Sequence, residues 1–109
     1  MVQEQNSLMI RLSAFVKRLG LPVNEAYLFG SRARGDWLEE SDVDVILVSE
    51  SFASQEFFQR MVDVSRHWHG PEALEALCYT PAEFSKKKSQ LNMVSDAMNY
   101  ALPIPASLA

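Results

Sequence analysis

The segment from Tyr27 to Val48 reads YLFGSRARGDWLEESDVDVILV and contains two hydrophobic runs separated by a polar connection. Residues 27–29 and 43–48 are aromatic, β-branched or aliphatic at nearly every position, a composition that favours β-strands. The connection between them carries glycines, arginines and carboxylates. We therefore predict two short strands joined by a glycine-bounded loop whose polar side chains are available for binding.

Two aspartates mark the start of the second strand. Asp42 and Asp44 are two residues apart, so a strand directs both carboxylates towards one face, while Val43 and Val45 point towards the other. Like charges at this spacing repel each other unless a cation neutralises them, and paired carboxylates with substrate phosphates are common ligands of Mg²⁺. The pattern predicts a metal site. The alternative is a polar strand start at the surface, with the acids capping nearby N–H groups.

Gly30 and Ser31 follow the first strand and predict an anion site. A glycine lets the backbone approach a ligand closely, and the N–H groups of a following helical turn can bind an anion together with the serine hydroxyl. Arg32 and Arg34 add positive charge, and a guanidinium group matches the geometry of phosphate. The alternatives are a turn glycine, a helix-capping serine and two solvated arginines.

Three motifs carry a resemblance to a known family. They are GSRARG at 30–35, SDVD at 41–44 and CYTPAEF at 78–84, and ten residues separate the Gly-Ser pair from the Asp-x-Asp pair. Together they resemble the signature of the DNA polymerase β-like nucleotidyltransferase superfamily, and the chain is similar to its minimal, MNT-type single-domain members. The resemblance covers residues 26–84 by motif and the whole chain by length and element order.

The resemblance implies a fold and a site. The fold is α/β, a small mixed sheet of three to four strands with helices mainly on one face, like the palm-like core of that superfamily, in a single domain of residues 1–109. Three carboxylates would hold two Mg²⁺ ions and perform catalysis: Asp42, Asp44 and Glu75. Four residues would bind the triphosphate of ATP or another nucleoside triphosphate: Gly30, Ser31, Arg32 and Arg34.

Glu75 is assigned by its distance of four residues before Tyr79 in the third motif. In the resemblance it completes the metal site and takes the proton from the attacking hydroxyl. The superfamily more often has aspartate at this position. The alternative is a salt-bridging surface acid.

The function implied by the resemblance is Mg²⁺-dependent transfer of a nucleoside monophosphate, AMP from ATP, to a hydroxyl acceptor. MNT-type members are often the antitoxin half of a pair with a small helical HEPN protein, so we expect the acceptor on a protein partner. The alternative belongs to another class: a catalytically silent binding module that neutralises a partner protein by direct contact. Aspartates 42 and 44 with Glu75 favour the enzyme, whereas glutamate in place of aspartate at position 75 leaves room for the binding module.

Composition narrows the classes further. The 109 residues include ten basic and fourteen acidic side chains, a net charge of −4, which makes nucleic-acid binding unlikely. The single cysteine, Cys78, cannot form an intrachain disulfide, and the sequence shows neither a signal peptide nor a long apolar run. We expect a cytoplasmic protein that does not associate with membranes, and a homo-oligomer is left open.

Outside the central segment, apolar spacing predicts a helix over about 7–19 and a second helix capped by Ser54. The letters EALEAL favour a helix near residue 75, but Gly-Pro and Thr-Pro boundaries and the resemblance favour a strand, which we predict over Leu74–Tyr79. A third helix is predicted from Pro81. The tail of residues 100–109 either adds a short edge strand or frays.

Overall fold

The computed structural model describes residues 2–38 and 40–105. In this part of the chain the elements are, in order, α1 (Val2–Arg18), β1 (Glu25–Phe29), α2 (Ser31–Arg34), β2 (Val43–Val48), a 3₁₀ helix (Glu50–Ser54), α3 (Phe57–Ser65), β3 (Leu74–Tyr79), α4 (Pro81–Lys88), α5 (Met93–Ala97) and β4 (Leu102–Pro103). The predicted α/β class is confirmed. The predicted single domain of residues 1–109 and the predicted tail include residues that lie outside the described part of the chain, namely 1, 39 and 106–109.

The four strands form one mixed sheet in the order β3-β2-β1-β4. β2 pairs with β3 in parallel and with β1 in antiparallel orientation, and β4 pairs antiparallel with β1. In this register Asp44 lies opposite Phe29 of β1 on one side and opposite Glu75 of β3 on the other. The central strand therefore carries Asp44 between the end of β1 and a second carboxylate.

Both faces of the sheet are covered, but unequally. On one face the sheet packs against the two longest helices, with Leu12 and Phe15 contributed by α1 and Val64 by α3. On the other face Ile46 and Val48 pack with side chains of the short helices α4 and α5. Helices thus lie mainly on one face, as predicted, and the second face is covered around the carboxyl-terminal half of β2.

The strand predicted at Leu74–Tyr79 is confirmed. Its residues alternate between the two hydrophobic clusters, with Ala76 and Cys78 on one side and Leu77 and Tyr79 on the other. Six register pairs with β2 supply the ladder. Parallel pairing and burial on both faces therefore outweigh the helical preference of alanine, leucine and glutamate at these positions.

The predicted cap of the second helix is wrong. Ser54 ends the 3₁₀ helix, and α3 begins at Phe57 after Glu56, which has an extended backbone and makes no side-chain capping bond. The 3₁₀ helix is capped instead by Ser49, whose hydroxyl accepts from the backbone N–H of Ser51. A separate turn forms here because it buries the side chain of its central residue, Phe52, in the core.

The first helix begins at Val2, five residues before the predicted start near Ser7. These added residues carry no apolar stripe, so periodicity could not reveal them, but glutamine and glutamate are good helix formers. The side-chain amide of Gln5 donates to the backbone oxygens of Arg32 and Ala33, at 3.0 and 3.3 Å. The extension of α1 therefore attaches to α2.

The third helix begins at Pro81 as predicted. Thr80 caps it, since its hydroxyl accepts a hydrogen bond from the Glu83 N–H, and the Glu83 carboxylate accepts one from the Thr80 N–H, which completes a capping box. The short strand β4 at Leu102–Pro103 confirms the edge-strand alternative for the tail. Within residues 2–38 and 40–105, no helix combines the length and apolar character needed to cross a membrane.

Candidate active site

Gly30 lies against the Asp44 carboxylate. It lies directly after β1 with φ of 73°, a conformation that side chains rarely adopt. A Cβ added at Gly30 would collide with Oδ2 of Asp44. The position therefore needs glycine twice, for its backbone angle and for space. Ser31 follows at once and begins the single turn of α2, so the Gly-Ser loop and the carboxylate form one surface.

The three predicted carboxylates lie near one another. The pKa of Asp44 is raised from 3.8 to about 6, first by partial burial and then by the negative charges of Glu75 and Asp42. A hydrogen bond with Glu75 adds to this shift, and the positive charge of Arg34 opposes it. Asp42 and Glu75 are exposed. The site therefore concentrates negative charge around a half-buried carboxylate, and a bound cation would relieve the repulsion.

The donor set fits a magnesium ion that is shared with a substrate. Among the described residues, no group of three or more histidine, cysteine, aspartate or glutamate side chains is already arranged to hold a metal. Mg²⁺ seldom needs such a cage, because it retains several waters and binds through one or two carboxylates together with phosphate oxygens. The carboxylates of Asp42, Asp44 and Glu75 offer only oxygen ligands, the type that Mg²⁺ prefers.

Arg34 approaches the same place from the end of α2. Its Nη1 donates to the hydroxyl of Tyr100 at 3.1 Å, and its guanidinium lies 5.2 Å from the centre of the Tyr100 ring. The Gly30 N–H donates to the same hydroxyl at 3.3 Å. The Nε of Arg34 also lies 3.4 Å from a carboxylate oxygen of Asp36. Arg34 is therefore anchored beside the glycine while its charge still acts on Asp44.

Tyr100 is a site residue that the sequence analysis missed. It is separated from Gly30 by 70 residues and stands between α5 and β4. No local pattern distinguishes it from an ordinary surface tyrosine. Its proximity arises because β4 pairs with β1 and returns the chain to the strand that ends at Gly30.

Arg32 is directed elsewhere. It is only 7% exposed, and its Nε and Nη2 donate to the backbone oxygen of Ser41 at 3.2 and 2.8 Å. Its guanidinium also lies 5.5 Å from the centre of the Trp37 ring. It lines a cleft of about 1000 Å³ with the first turns of α1 and with Glu72. The structure thus brings Gly30, Arg34, Asp42 and Glu75 around Asp44, with Ser31 next to Gly30 in the chain. It directs the Arg32 side chain to the Ser41 carbonyl.

A smaller groove lies along the carboxyl-terminal half of β3. Its volume is about 370 Å³, and its lining is Phe57, Leu77, Tyr79, Glu83, Lys87 and Met93. Leu77 is two residues beyond Glu75 on the same face of the strand. The groove therefore lies on the opposite side of Asp44 from Gly30, because β1 and β3 flank β2.

A Gly-Ser loop held against carboxylates on a mixed sheet is suited to a protein that binds phosphate groups together with a divalent cation. A family model described as a nucleotidyltransferase domain matches residues 9–101. The chain belongs to this family of nucleotidyltransferase domains, whose members generally use nucleoside triphosphates and divalent metals. Transfer of a nucleoside monophosphate is therefore its general activity.

The fold comparison agrees with this family. The structure is similar to the crystal structure of a candidate nucleotidyltransferase from Sulfolobus solfataricus, with a TM-score of 0.65 and 26% sequence identity. The match covers 94% of this chain and 83% of that chain. No curated protein gives a significant sequence match.

Proposed function

We propose that this protein transfers AMP from ATP to a hydroxyl group on a partner protein, with Mg²⁺ as cofactor. The observation that carries the proposal is the contact between Gly30 and Asp44. A backbone without a side chain lies against a half-buried carboxylate that two other carboxylates surround. A Mg²⁺ ion that is bound by carboxylates and by substrate phosphates needs acidic ligands next to a phosphate-binding loop. The Gly30 backbone beside Asp44 has this arrangement.

Each residue has a role in this proposal. Asp42, Asp44 and Glu75 would hold two Mg²⁺ ions, which would supply positive charge to offset the negative charge of the reacting phosphates. Gly30 and Ser31 seat the β- and γ-phosphates, and the Arg34 guanidinium offsets their charge. Tyr100 keeps Arg34 next to the glycine.

The reaction is a displacement at phosphorus. The acceptor oxygen forms a bond to the α-phosphorus while the bond from that phosphorus to the bridging oxygen of the β-phosphate breaks, and pyrophosphate leaves. Glu75 takes the proton of the acceptor hydroxyl, since it is exposed at the side of the site remote from Gly30. The acceptor accordingly enters from the β3 side.

The groove along β3 supports a polypeptide as the acceptor. Phe57 and Met93 are 38% and 57% exposed, and with Leu77 and Tyr79 they offer an apolar surface beside Glu75. Such a surface can bury the side chains of a partner. The similarity to MNT-type proteins suggests a small helical HEPN protein as that partner, with this chain as the antitoxin-type half of the pair.

The decisive experiment combines this protein with its HEPN-type partner, ATP and Mg²⁺. Intact-mass spectrometry should detect one or more AMP units added to the partner. Asp44→Asn keeps the size of the side chain and removes its charge, so it should abolish the modification while the complex still forms. Glu75→Gln should slow the reaction strongly, and the exposed acid Glu50, changed to Gln, serves as the control.

The same experiment separates enzyme from binding module. Neutralisation of the partner should follow its modification in every variant. If the Asp44→Asn protein neutralises the partner as well as the wild type does and no mass change occurs, direct contact is the function and the transfer proposal fails.

A further inference from the structure

Arg32 links the Gly-Ser loop to the segment that carries Asp42. It belongs to α2, the turn that begins immediately after Gly30. The backbone oxygen of Ser41 accepts two hydrogen bonds from the Arg32 guanidinium. Ser41 immediately precedes Asp42 in the chain. A cationic donor pair on one carbonyl is stronger than an ordinary neutral contact.

Asp42 needs such support because strand pairing does not hold it. β2 begins at Val43, so Asp42 lies outside the ladder, and its side chain is exposed. The preceding turn is closed on itself: Ser41 N–H donates to the Leu38 oxygen, and Leu38 N–H donates to the Ser41 hydroxyl, both at 3.0 Å. Leu38 is 78% exposed, so its side chain contributes little packing at this place.

Arg32 itself is firmly held. The backbone oxygen of Arg32 accepts a hydrogen bond from Gln5 of α1. The pKa of Glu72 is lowered, chiefly by the hydrogen bond from Arg11, and the positive charge of Arg32 adds to this shift. Trp37 lies against its guanidinium face. The Ser41 carbonyl and the Trp37 ring fix the direction of the Arg32 side chain before any substrate binds.

We propose that Arg32 is a positioning residue, which sets the place of Asp42 relative to Gly30 and Asp44, and that it does not contact phosphate. The proposal rests on the proposed function, because it assigns the purpose of the Arg32–Ser41 contact to metal binding by Asp42. A displacement of about 1 Å in a metal ligand or positioning group can reduce a rate about a hundredfold.

The first test needs neither metal nor nucleotide. Hydrogen exchange of the backbone amides is measured by mass spectrometry in EDTA for wild type, Arg32→Gln and Gln5→Ala. We expect Arg32→Gln to speed exchange in residues 38–42 about tenfold, the change that corresponds to loss of one strong hydrogen bond, and to leave β1 unchanged. Gln5→Ala removes a contact of α2 with α1 and leaves the Ser41 contact intact, so residues 38–42 should keep their wild-type exchange.

The second test distinguishes positioning from phosphate contact. ATP binding is followed by calorimetry while Mn²⁺ is varied as the probe metal. We expect Arg32→Gln to raise the half-saturating Mn²⁺ concentration about tenfold, while ATP affinity at saturating Mn²⁺ changes less than about twofold. Arg32→Lys keeps the charge and one donor, so it should restore part of the metal affinity and also provides a variant that folds if Arg32→Gln does not.

A different pattern overturns the proposal. If Arg32 contacted phosphate, Arg32→Gln would instead weaken ATP binding at saturating metal and weaken AMP binding much less. The hydrogen exchange of residues 38–42 would then be unchanged. Unchanged exchange alone is sufficient to reject the positioning role. If wild type failed to bind ATP with metal at all, the proposed function would fail, whereas the exchange comparison would still decide whether Arg32 holds the loop.

Discussion

At the residue scale, the site depends on the absence of a side chain at Gly30. The Cα of Gly30 lies where any side chain would meet the carboxylate of Asp44, and its φ of 73° is strained for every other residue. Two separate penalties therefore act at this position. Gly20 carries only the first penalty, since its φ is 70° and a Cβ added there would meet nothing within 4 Å. Comparison of the two glycines therefore distinguishes backbone strain from steric overlap.

We expect Gly30→Ala to lose binding of ATP with Mg²⁺. The added methyl group must displace either the Gly-Ser loop or the Asp44 side chain, which moves phosphate seat and metal ligand apart. Gly20→Ala carries only the backbone strain, about 1–2 kcal/mol of stability, and should bind normally. Calorimetry measures binding and urea unfolding measures stability. Equal binding by Gly30→Ala and Gly20→Ala would show that the close approach is irrelevant to the site.

The raised pKa of Asp44 predicts a site that destabilises the free protein. A folded-state pKa of about 6 lies above the usual 3.8, so between these values the folded protein binds more protons than the unfolded chain. Stability from this group is thus present at low pH and falls as the pH rises through about 4 to 6. Desolvation of the Asp44 charge and repulsion by the neighbouring acids cause this loss of stability. An asparagine at this position carries no charge and so avoids both costs.

Asp44→Asn should therefore melt at a higher temperature than wild type at pH 7 in EDTA, and the difference should shrink towards pH 4. Thermal unfolding at several pH values measures it. Glu40→Gln, a change of an exposed loop acid, controls for net charge. A difference that is constant from pH 4 to pH 7 would mean that Asp44 is not strained by its neighbours.

The sequence could identify site residues where a strand period or a motif marks them. Asp42 and Asp44 are predictable from the period of one strand, and Glu75 from the resemblance carried by the third motif; the parallel pairing of β2 with β3 then places Glu75 beside Asp44. Tyr100 and the direction of Arg32 are not predictable. Each depends on where a loop or a tail returns to the sheet, and an arginine beside a glycine has the same local pattern whether it binds phosphate or a backbone oxygen.

At the element scale, α3, β3 and α4 are joined by one buried arginine. Arg60 of α3 is 5% exposed, and its Nη1 donates to the Cys78 backbone oxygen at 3.1 Å and to Glu83 at 2.6 Å. Glu83 in turn completes the capping box of α4. The pKa of Glu83 is lowered, chiefly by the hydrogen bond from Arg60. These contacts also satisfy a carbonyl at the edge of β3.

Arg60→Ala should lower the free energy of unfolding by about 2–3 kcal/mol, somewhat less than for a fully buried pair, since the Glu83 side chain is 44% exposed. Arg66→Ala removes an exposed pair with Asp63 at 3.7 Å and should change stability by less than about 0.5 kcal/mol. Urea unfolding of both variants measures the difference. Similar losses for the two arginines would contradict a role for Arg60 in joining the elements.

The elements also show where sequence patterns stop being informative. The strand Leu74–Tyr79 was predictable only because its Gly-Pro and Thr-Pro boundaries and its motif outweighed a helical composition. The start of α1 was missed because its first residues are polar, and their helix is held by contact with α2. The prediction that Ser54 caps the second helix was wrong because residues 50–54 form a separate 3₁₀ helix that buries Phe52 in the core. In each case a tertiary contact outweighed the local preference.

At the scale of the whole molecule, charge bears on the class of acceptor. The net charge of −4 and the acidic site repel a polyanion, whereas residues 86–88 form an exposed run of three lysines at the end of α4. One of them, Lys87, lines the groove beside β3. This charge distribution therefore favours a polypeptide acceptor near these lysines over the 3′ end of an RNA.

We expect no RNA binding tighter than about 100 µM at roughly 0.15 M salt, because three lysines can release few counterions. Fluorescence anisotropy with a single-stranded RNA measures it over a range of salt concentrations. Any binding at low salt should have a slope in log K against log salt no steeper than about −2, which is 0.7 for each of three phosphates neutralised. A variant with Lys86, Lys87 and Lys88 all changed to Ala should abolish that residual binding. Micromolar affinity at physiological salt, with a slope that the triple variant does not change, would reveal a different basic surface and would make an RNA hydroxyl a serious rival to the protein acceptor.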